Sequence, residues 1–526
     1  MKVWMYPLSR WIAATALVLT GVASAATTEP ASMGPADAAV RPDDPSIRWT
    51  GRIDRRRPLA PAFGWPGTAF RVRTDASRVV ARLEDERGQN WVRIRVDGGS
   101  PRDLRLPRGV HDQVIADGLP PGVHEIELIK RTEGYFGAVR LHGLALSPKA
   151  RLMAWPPATG PRLEFYGDSN SAGYSSQSIH DSGLPRDDDN DAAYPAITTR
   201  LLGGQYHCMC WSGATIAPGS GLPVQGFWDR VLPLDPSRRF DFSEYDADVV
   251  VINVGSNDSY DGDNRDGVMA GWHELITERI RPVHPHAHIV LADSYGWSFD
   301  EPANYLQDMV RRLAAEGDTN VSSLAWPWLW GQTHAVEEEH AGFANLLAAH
   351  IAQRLRWPTP PESPLSSLRG PGVLFNGGFD IRPSNPLRRF DASGWRVLTR
   401  GEAEVRMVDG AMPADRHAHL RTGGTASRPG MARLWQAMPN VDGAHFTLNA
   451  QVRGTPGRRA HVQLVFKDQG QKIISRSPGV VTLRQDWQAV QVRAKAPPGA
   501  WSVNVVVQAS GRQLDVEVDD VNLDWR

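Results

Sequence analysis

The sequence has almost no cysteine, no excess of charge of either sign and no long hydrophobic run. Only Cys208 and Cys210 occur among 526 residues, which excludes a disulfide framework. A bridge between residues two apart in a strand would be strained, and no Cys or His set with zinc spacing accompanies them. We therefore interpret both as buried small apolar residues. Because 58 Lys and Arg balance 59 Asp and Glu, the basic excess of a nucleic-acid-binding protein is missing.

No apolar stretch reaches the ~18 residues needed to span a bilayer. The N-terminus instead has positive charge at Lys2 and Arg10, a short apolar run over residues 11–22 and the small-residue cleavage site Ala23-Ser24-Ala25. This order is typical of an export signal. It predicts a signal peptide over residues 1–25 and a secreted or periplasmic mature protein without a membrane span. A retained membrane anchor is the alternative.

What the chain does have is abundant turn-forming and aromatic residues, with 49 Gly, 40 Pro and 19 Trp. This profile suits β-rich domains, and the length suggests about three domains. Composition and hydrophobic periodicity divide the mature chain into five segments: a linker (26–46), a β-sandwich (47–148), an α/β domain (149–356), a Pro/Ser-rich linker (357–371) and a second β-sandwich (372–526). We expect few contacts to cross the second linker.

The middle segment alternates apolar runs with helical patterns. Leu163–Tyr166, Val249–Val254 and Ile289–Ala292 are typical of buried parallel strands. Alternation of strands and helices predicts an α/β domain with a parallel sheet. Helices are predicted at four places: Ala193–Leu202, Met269–Arg281, Asn304–Ala315 and Ala341–Leu355.

Three short polar segments follow predicted strands of this domain. Gly167-Asp168-Ser169 joins the first strand to a helix, which places the Ser169 hydroxyl at the carboxyl edge of the sheet. Gly167 is expected to permit a tight turn and a close approach of substrate. Gly213 and Asn257 follow later strands, so the N–H groups of Ser169 and Gly213 and the Asn257 amide would supply the oxyanion donors that acyl transfer needs. Each segment alone is common turn chemistry, but the set predicts a hydrolase.

Two histidines, His334 and His340, precede the last helix and compete as the general base. At this point the chain resembles the SGNH (GDSL-type) hydrolases, whose blocks match Ser169, Gly213, Asn257 and a late histidine. Members often carry His-Pro-x-x-x-x-His before a helix, and His334 with Ala335 and His340 reproduces that spacing. The resemblance implies that His334 is the base and His340 a structural residue. Gly331 stands where these enzymes carry the acid, which implies a Ser-His dyad whose imidazole donates to a backbone carbonyl.

The chain resembles carbohydrate esterase family 2 in two features: the acid is absent, and a β-sandwich precedes the hydrolase segment. The first domain of that family is a jelly roll. Similar segments lie throughout the first domain: Gly51–Asp54, Trp65–Thr68, Val96–Gly98, Leu119–His124 and Lys130–Glu133. The resemblance spans roughly residues 47–355. It implies a carboxylic ester hydrolase, an O-acetylesterase similar to acetyl xylan esterases, acting without a cofactor on acetylated xylan, glucomannan or xyloglucan. A lipid, aryl or bacterial-envelope glycan esterase and a non-catalytic glycan-binding protein are the alternatives. The glycan, the acetyl position and the oligomeric state stay open.

Further candidates lie outside these blocks. Trp330, which alternates with Trp326 and Trp328, is a candidate sugar-stacking residue, with core packing as the alternative. A run of acidic residues lacks the order of a calcium loop and is interpreted as a solvated loop: Asp187, Asp188, Asp189 and Asp191. The C-terminal segment resembles carbohydrate-binding modules of the family 4/9 type, which implies a calcium site near Asp519. A purely structural sandwich is its alternative.

Overall fold

The computed structural model describes residues 38–178, 182–261, 264–292, 305–324, 334–361, 374–381, 394–410, 415–439, 443–468, 472–500 and 502–525. The predicted signal peptide, residues 326–330 with their three tryptophans, and Gly331 lie outside this part. Within it, no helix combines the length and the apolar character that crossing a membrane requires.

The N-terminal β domain consists of two antiparallel sheets. Its strands are β1 (Ala38–Val40), β2 (Arg48–Thr50), β3 (Ile53–Asp54), β4 (Ala62–Phe63), β5 (Ala69–Thr74), β6 (Val79–Asp85), β7 (Trp91–Val96), β8 (Arg102–Arg105), β9 (Gly109–Ala116), β10 (His124–Lys130), β11 (Val139–Leu146) and β12 (Leu152–Met153). One sheet has the order β3-β4-β11-β6-β9 and the other β12-β5-β10-β7-β8, with β1 on β11 and β2 on β5. Alternate side chains such as Phe70, Leu128 and Leu141 are buried in one shared core. Strand β1 lies within the range predicted as a linker.

The central domain is built on a parallel sheet of the order β14-β13-β19-β20-β21. Its strands are β13 (Arg162–Gly167), β14 (Gln205–Cys210), β15 (Ala214–Thr215), β16 (Leu222–Pro223), β17 (Arg230–Leu232), β18 (Asp235–Arg239), β19 (Val249–Asn253), β20 (His288–Ala292) and β21 (Val321–Leu324). Its helices are α1 (Ser169–Ala172), α2 (Tyr194–Leu201), α3 (Arg265–Glu274), α4 (Arg281–Val283), α5 (Tyr305–Ala315) and α6 (Glu337–Leu355). The predicted α/β domain with a parallel sheet is confirmed. Cys208 and Cys210 are buried, unbridged residues of β14, as expected.

Two helices differ from the prediction in ways that the structure explains. Helix α6 begins at Glu337 rather than Ala341, because Glu339 Oε2 accepts the Val336 N–H at 3.0 Å and acidic residues fill the first turn. The helix predicted over Met269–Arg281 is α3, followed by a π-helical turn over Leu275–Ile280 and then α4.

The interpretation of residues 187–191 as a solvated loop is wrong. Asp188, Asp189 and Asp191 are buried, and only Asp187 is partly exposed. Arginines of the N-terminal β domain supply the counter-charges, since Arg93 contacts Asp189 at 2.7 Å and Asp191 at 3.0 Å. The acidic run is therefore part of the contact between the two domains.

The C-terminal region also forms two antiparallel sheets, with the orders β22-β25-β31-β27-β28 and β23-β24-β32-β26-β30, and with β29 on β27. The strands are β22 (Arg396–Arg400), β23 (Ala403–Asp409), β24 (Arg416–Thr422), β25 (Gly430–Pro439), β26 (His445–Gly454), β27 (Arg459–Lys467), β28 (Ile473–Arg476), β29 (Val480–Thr482), β30 (Gln488–Lys495), β31 (Ser502–Gly511) and β32 (Leu514–Trp525). Residues such as Leu448 and Val505 are buried in a core of their own.

The expectation that few contacts cross residues 357–371 is wrong. Phe375 is fully buried in the same hydrophobic cluster as Leu347 and Ile351 of α6. In addition, Glu339 Oε1 accepts the Gly394 N–H at 2.7 Å. The start of the C-terminal region therefore completes the core of the central domain.

Asp519 lies close to other carboxylates of the C-terminal region. Burial raises its pKa to about 7, and the neighbouring charges of Asp520, Asp415 and Asp380 add to that rise. Among the described residues, no group of His, Cys, Asp and Glu side chains is arranged to hold a metal ion. Calcium binding at Asp519 therefore stays a prediction.

Candidate active site

Ser169 is the first residue of α1 and follows strand β13 after a single residue, Asp168. The Asp168 carboxylate caps the helix by accepting the Asn170 N–H at 3.1 Å, and it also accepts a hydrogen bond from Ser256 Oγ at 2.7 Å. A capped N-terminus at the carboxyl end of a parallel strand carries partial positive charge. Ser169 is 8% exposed, so it lies in a largely enclosed position at the start of α1.

His334 lies next to this serine. Its Nε2 is 2.8 Å from Ser169 Oγ, within hydrogen-bond distance, and its ring centroid is 4.7 Å from that of Tyr174. The following residue is held in place because Asn170 Oδ1 accepts the Ala335 N–H at 3.2 Å. The structure thus brings the predicted nucleophile and base into the geometry that proton transfer between them requires.

His340 occupies a different environment in the first turn of α6. It is 1% exposed, and its ring is stacked at 6.1 Å from the ring of Tyr194. Burial lowers the pKa of His340 to about 3, with a smaller contribution from the charge of His334. Its imidazole therefore stays neutral across the physiological pH range.

The predicted oxyanion donors lie on loops that leave the same edge of the sheet. Gly213 has the left-handed φ of +80°, and in the part of the chain that the structure describes no atom beyond its chain neighbours lies within 4 Å of a Cβ position there. The Trp211 N–H donates to Gly167 O at 3.1 Å, which joins this loop to strand β13. Asn257 Nδ2 donates to Ala214 O at 2.9 Å. This bond uses one of the two amide hydrogens and fixes the orientation of the other.

Asp258, next to Asn257, secures the chain that follows Gly213. Its carboxylate accepts the Ile216 N–H at 3.0 Å, the Ala217 N–H at 2.8 Å and the Ser220 hydroxyl at 3.0 Å. Burial raises the pKa of Asp258, while these three donors oppose that rise. The sequence indicated a turn at this position but not the loop that the turn holds.

Gly167 packs closely against α1. A Cβ at this position would lie 2.0 Å from Ser171 Oγ and 2.4 Å from Ser171 Cβ. The packing of α1 against the end of β13 therefore requires a glycine here, and the close approach of a substrate stays a prediction.

Sequence reasoning missed three residues that hold the site together. Asp168 and Asn170 flank the nucleophile and bind the neighbouring loops, as described above. Glu133 comes from the N-terminal β domain and is fully buried, and both of its carboxylate oxygens bind Ser212. In the sequence, Glu133 belongs to the segment Lys130–Glu133, which resembles the family but does not indicate a partner in the central domain. Trp330, the predicted sugar-stacking residue, lies outside the described residues, as does Gly331 at the position of the absent acid.

Comparison with known protein families agrees with this architecture. Residues 49–156 match the model described as "Carbohydrate esterase 2 N-terminal", and residues 165–357 match the "GDSL-like Lipase/Acylhydrolase family". The two matches follow one another along the chain and support the fold of a family 2 carbohydrate esterase for the first two domains.

Curated relatives match about 60% of this chain. The cellulase/esterase CelE of Acetivibrio thermocellus is 29% identical over 331 residues, which is 60% of this chain and 40% of CelE. The chain thus spans less than half of that protein. An acetylxylan esterase/glucomannan deacetylase of Cellvibrio japonicus is 23% identical over 60% of this chain and 90% of its own length.

Solved structures agree with the fold. A family two carbohydrate esterase from Clostridium thermocellum, in complex with cellohexaose, is 26% identical with a TM-score of 0.55, and the match covers 59% of this chain and 100% of that one. The family two esterase from Cellvibrio japonicus has a TM-score of 0.56 at 20% identity, with 61% of this chain and 98% of that chain covered.

Proposed function

We propose that this protein is an O-acetylesterase that removes acetyl groups from plant-type polysaccharides such as xylan, glucomannan or xyloglucan. The observation that carries the proposal is the 2.8 Å contact between His334 Nε2 and Ser169 Oγ at the start of a capped helix. Relatives named as acetylxylan esterase/glucomannan deacetylase support the substrate class. So does a structural neighbour that binds cellohexaose.

The chemistry is that of a Ser-His dyad. Ser169 Oγ attacks the acetyl carbonyl carbon while His334 Nε2 takes the hydroxyl proton, and the N–H groups of Ser169 and Gly213 with the Asn257 amide bind the resulting oxyanion. His334 then gives the proton to the sugar oxygen as the C–O bond breaks, which leaves an acetyl-serine. A water molecule, deprotonated by His334, attacks this ester and releases acetate, and the proton returns to Ser169. These steps need no cofactor.

The remaining parts of the chain fit an extracellular role. We infer a secreted or periplasmic location from the signal-peptide pattern of residues 1–25. We further infer that the N-terminal β domain is a jelly roll and that the C-terminal sheets form a sandwich related to family 4/9 carbohydrate-binding modules. Such a module would raise the effective concentration of the enzyme on its polymer, and Trp330 would stack on a sugar ring beside His334.

The test measures acetate release from acetylated xylan, glucomannan and xyloglucan by the wild type, Ser169→Ala and Ser176→Ala. Ser176 is a buried serine on the same segment and serves as the matched control. We expect Ser169→Ala to fold normally and release no acetate, and Ser176→Ala to keep its activity. Near-normal release by a folded Ser169→Ala protein would exclude Ser169 as the nucleophile. Preference for long-chain aryl or lipid esters, or glycan binding without turnover, would favour the alternative functions.

A further inference from the structure

The segment Lys130–Glu133 leaves strand β10 and lies between the N-terminal β domain and the central domain. Lys130 Nζ donates to Thr132 O at 2.6 Å and to Glu133 O at 2.9 Å, so the segment curls around its own ammonium group. Thr132 Oγ1 donates to Asn90 Oδ1 at 2.8 Å. On the other side, Arg131 O accepts the Asn190 N–H at 3.1 Å. The backbone that carries Glu133 is therefore tied to both domains.

The carboxylate of Glu133 is directed at a single residue of the central domain. Its Oε2 accepts the Ser212 N–H at 2.8 Å and its Oε1 accepts the Ser212 hydroxyl at 2.5 Å. Glu133 is fully buried, and burying a carboxylate is costly unless its oxygens are hydrogen-bonded. Hydrogen bonds to an ionised carboxylate are among the stronger ones in proteins. Ser212 is therefore held firmly at both its backbone and its side chain.

We propose that Glu133, supplied by the N-terminal β domain, is a positioning residue that aligns the Gly213 N–H for the oxyanion by fixing Ser212. The proposal rests on the assignment of Gly213 as an oxyanion donor. It gives the N-terminal β domain a direct part in catalysis, because that domain sets the geometry of a catalytic loop.

The backbone at Gly213 shows why such a residue is needed. Its φ of +80° is a conformation that side chains rarely adopt, and apart from its chain neighbours no atom of the described residues lies within 4 Å of a Cβ position there. The orientation of its N–H is therefore set by the neighbouring residues. Ser212, on the other side of the same peptide group, is fixed by Glu133, and Ala214 is fixed by the bond from Asn257. An oxyanion donor acts at about 2.7–3.1 Å, so small rotations of this peptide reduce its effect.

Charged and titratable groups surround Glu133. They are Lys130, His334, Asp188 and Tyr135. Burial raises the pKa of Glu133 to about 7, while Ser212 and the positive charges of His334 and Lys130 act in the opposite direction. A protonated Glu133 has a hydroxyl in place of one acceptor and cannot hold both donors of Ser212 equally well. The ionised form is the one that aligns the loop.

The experiment compares Glu133→Gln with Asp97→Asn in the full-length protein. Asp97 lies beside the start of β10, whereas Glu133 follows its end, about 20 Å away by strand rise. Like Glu133, Asp97 uses its carboxylate to bind a backbone N–H and a side chain. It accepts the Glu125 N–H at 2.8 Å and contacts His124 Nδ1 at 2.7 Å. For p-nitrophenyl acetate, we expect Glu133→Gln to lower kcat by about 10- to 100-fold and to leave KM within about twofold. We expect Asp97→Asn to keep wild-type values.

Two further measurements separate alignment from a structural role. Below about pH 7, log kcat should fall more steeply in the wild type than in Glu133→Gln, because the glutamine has no carboxylate that can take up a proton. Ser212→Ala removes one of the two bonds, so its effect and that of Glu133→Gln should not add in the double variant. If Glu133→Gln fails to fold, Ser212→Ala alone tests the loss of kcat.

The proposal is overturned if folded Glu133→Gln keeps kcat within twofold of the wild type, whether or not its KM rises. It is also overturned if Asp97→Asn shows the same loss, if the two pH profiles have equal slopes, or if the effects of Glu133→Gln and Ser212→Ala add. Failure of the polysaccharide assignment is a separate result. An enzyme that hydrolyses p-nitrophenyl acetate but releases no acetate from any polymer would contradict that assignment and leave the Glu133 comparison intact.

Discussion

Two histidines lie six positions apart before the last helix of the central domain, and their surroundings give them different properties. His334 Nε2 contacts Ser169 Oγ at 2.8 Å across 165 positions of sequence. His340 is buried against Tyr194, and burial lowers its pKa to about 3. A base must reach the proton that it removes, and His334 has that geometry with the Ser169 hydroxyl.

Replacing each histidine with alanine should therefore give opposite results. We expect His334→Ala to lower kcat by about 10⁴-fold or more with a normal fold, since the serine loses its proton acceptor. We expect His340→Ala to lower the free energy of unfolding by about 1–3 kcal/mol and to keep kcat within a few-fold. Steady-state kinetics and thermal melting measure both effects. The reverse pattern would make His340 the base.

At the scale of elements, the junction between β13 and α1 is built from close packing and shared hydrogen bonds. Asp168 binds the loop after β19 through Ser256, and Asn170 binds the loop that carries His334 through the Ala335 N–H. Two separate loops are thus held by residues next to the nucleophile. A small displacement of α1 would disturb both of them together.

Gly167→Ala tests this packing. The added Cβ would lie 2.0 Å from Ser171 Oγ, so one of the two elements must move, and we expect a loss of about 1–3 kcal/mol in the free energy of unfolding. The double variant Gly167→Ala/Ser171→Gly removes the clash and should regain part of that stability. Urea unfolding measures both. A Gly167→Ala protein with wild-type stability and a raised KM would show that the substrate, rather than α1, needs the glycine.

The sequence predicted these elements where the signal was local. The apolar runs of β13, β19 and β20 predicted the parallel strands, and the spacing of Ser169 and His334 predicted a pair that the structure brings within 2.8 Å. The acidic run at residues 187–191 was misread because its partners, Arg93 and Arg95, lie about a hundred positions earlier. Glu133 was missed for the same reason, since its partner Ser212 is 79 positions away. Pairing across domains leaves no periodic pattern in a single sequence.

At the scale of the whole molecule, buried ion pairs join the N-terminal β domain to the central domain. Asp191 is buried and binds Arg93 at 3.0 Å, Arg200 at 2.7 Å and also Arg95. Burial by itself would raise the pKa of Asp191, but Arg200, Arg95 and Arg93 lower it well below its usual value. The ionised carboxylate is thus the form that stabilises the contact between the domains.

Asp191→Asn should destabilise the protein strongly near neutral pH. The substitution removes one counter-charge from two largely buried guanidinium groups, so that Arg93 keeps Asp189 and Asp103 and Arg95 keeps Glu127. We expect a cost of up to about 3–5 kcal/mol. Because the folded-state pKa is depressed, this stabilisation is present above the unfolded pKa of about 4 and is lost as the pH falls below it. Urea unfolding should therefore show a difference from the wild type that shrinks under acid. Asp43→Asn, at an exposed pair with Arg41, is the control, and an equal loss there would contradict this view.

The contact between the C-terminal region and the central domain is apolar as well as polar. Phe375 is fully buried with Leu347 and Ile351, and the partly buried Trp357 and Ile381 pack on the same cluster. Gln436 of β25 binds both the N–H and the C=O of Phe375, at 2.8 and 2.9 Å. The C-terminal sheets thus hold in place a side chain that belongs to the core of the central domain.

A chain that ends at Pro361 should therefore be less stable than the full-length protein. We expect it to melt at a lower temperature and to lose activity on small acetyl esters as well as on polymers, because the Phe375 site in the core is left open.

Phe375→Ala in the full-length protein should lower the free energy of unfolding of the central domain by about 3–5 kcal/mol and with it the melting temperature. Phe379→Ala leaves a cavity in the separate C-terminal core and should leave the melting temperature of the central domain unchanged. Calorimetry on all three, with p-nitrophenyl acetate hydrolysis after heating, distinguishes the two cores. A shortened chain with full-length melting behaviour and activity would show that Phe375 contributes little to the esterase.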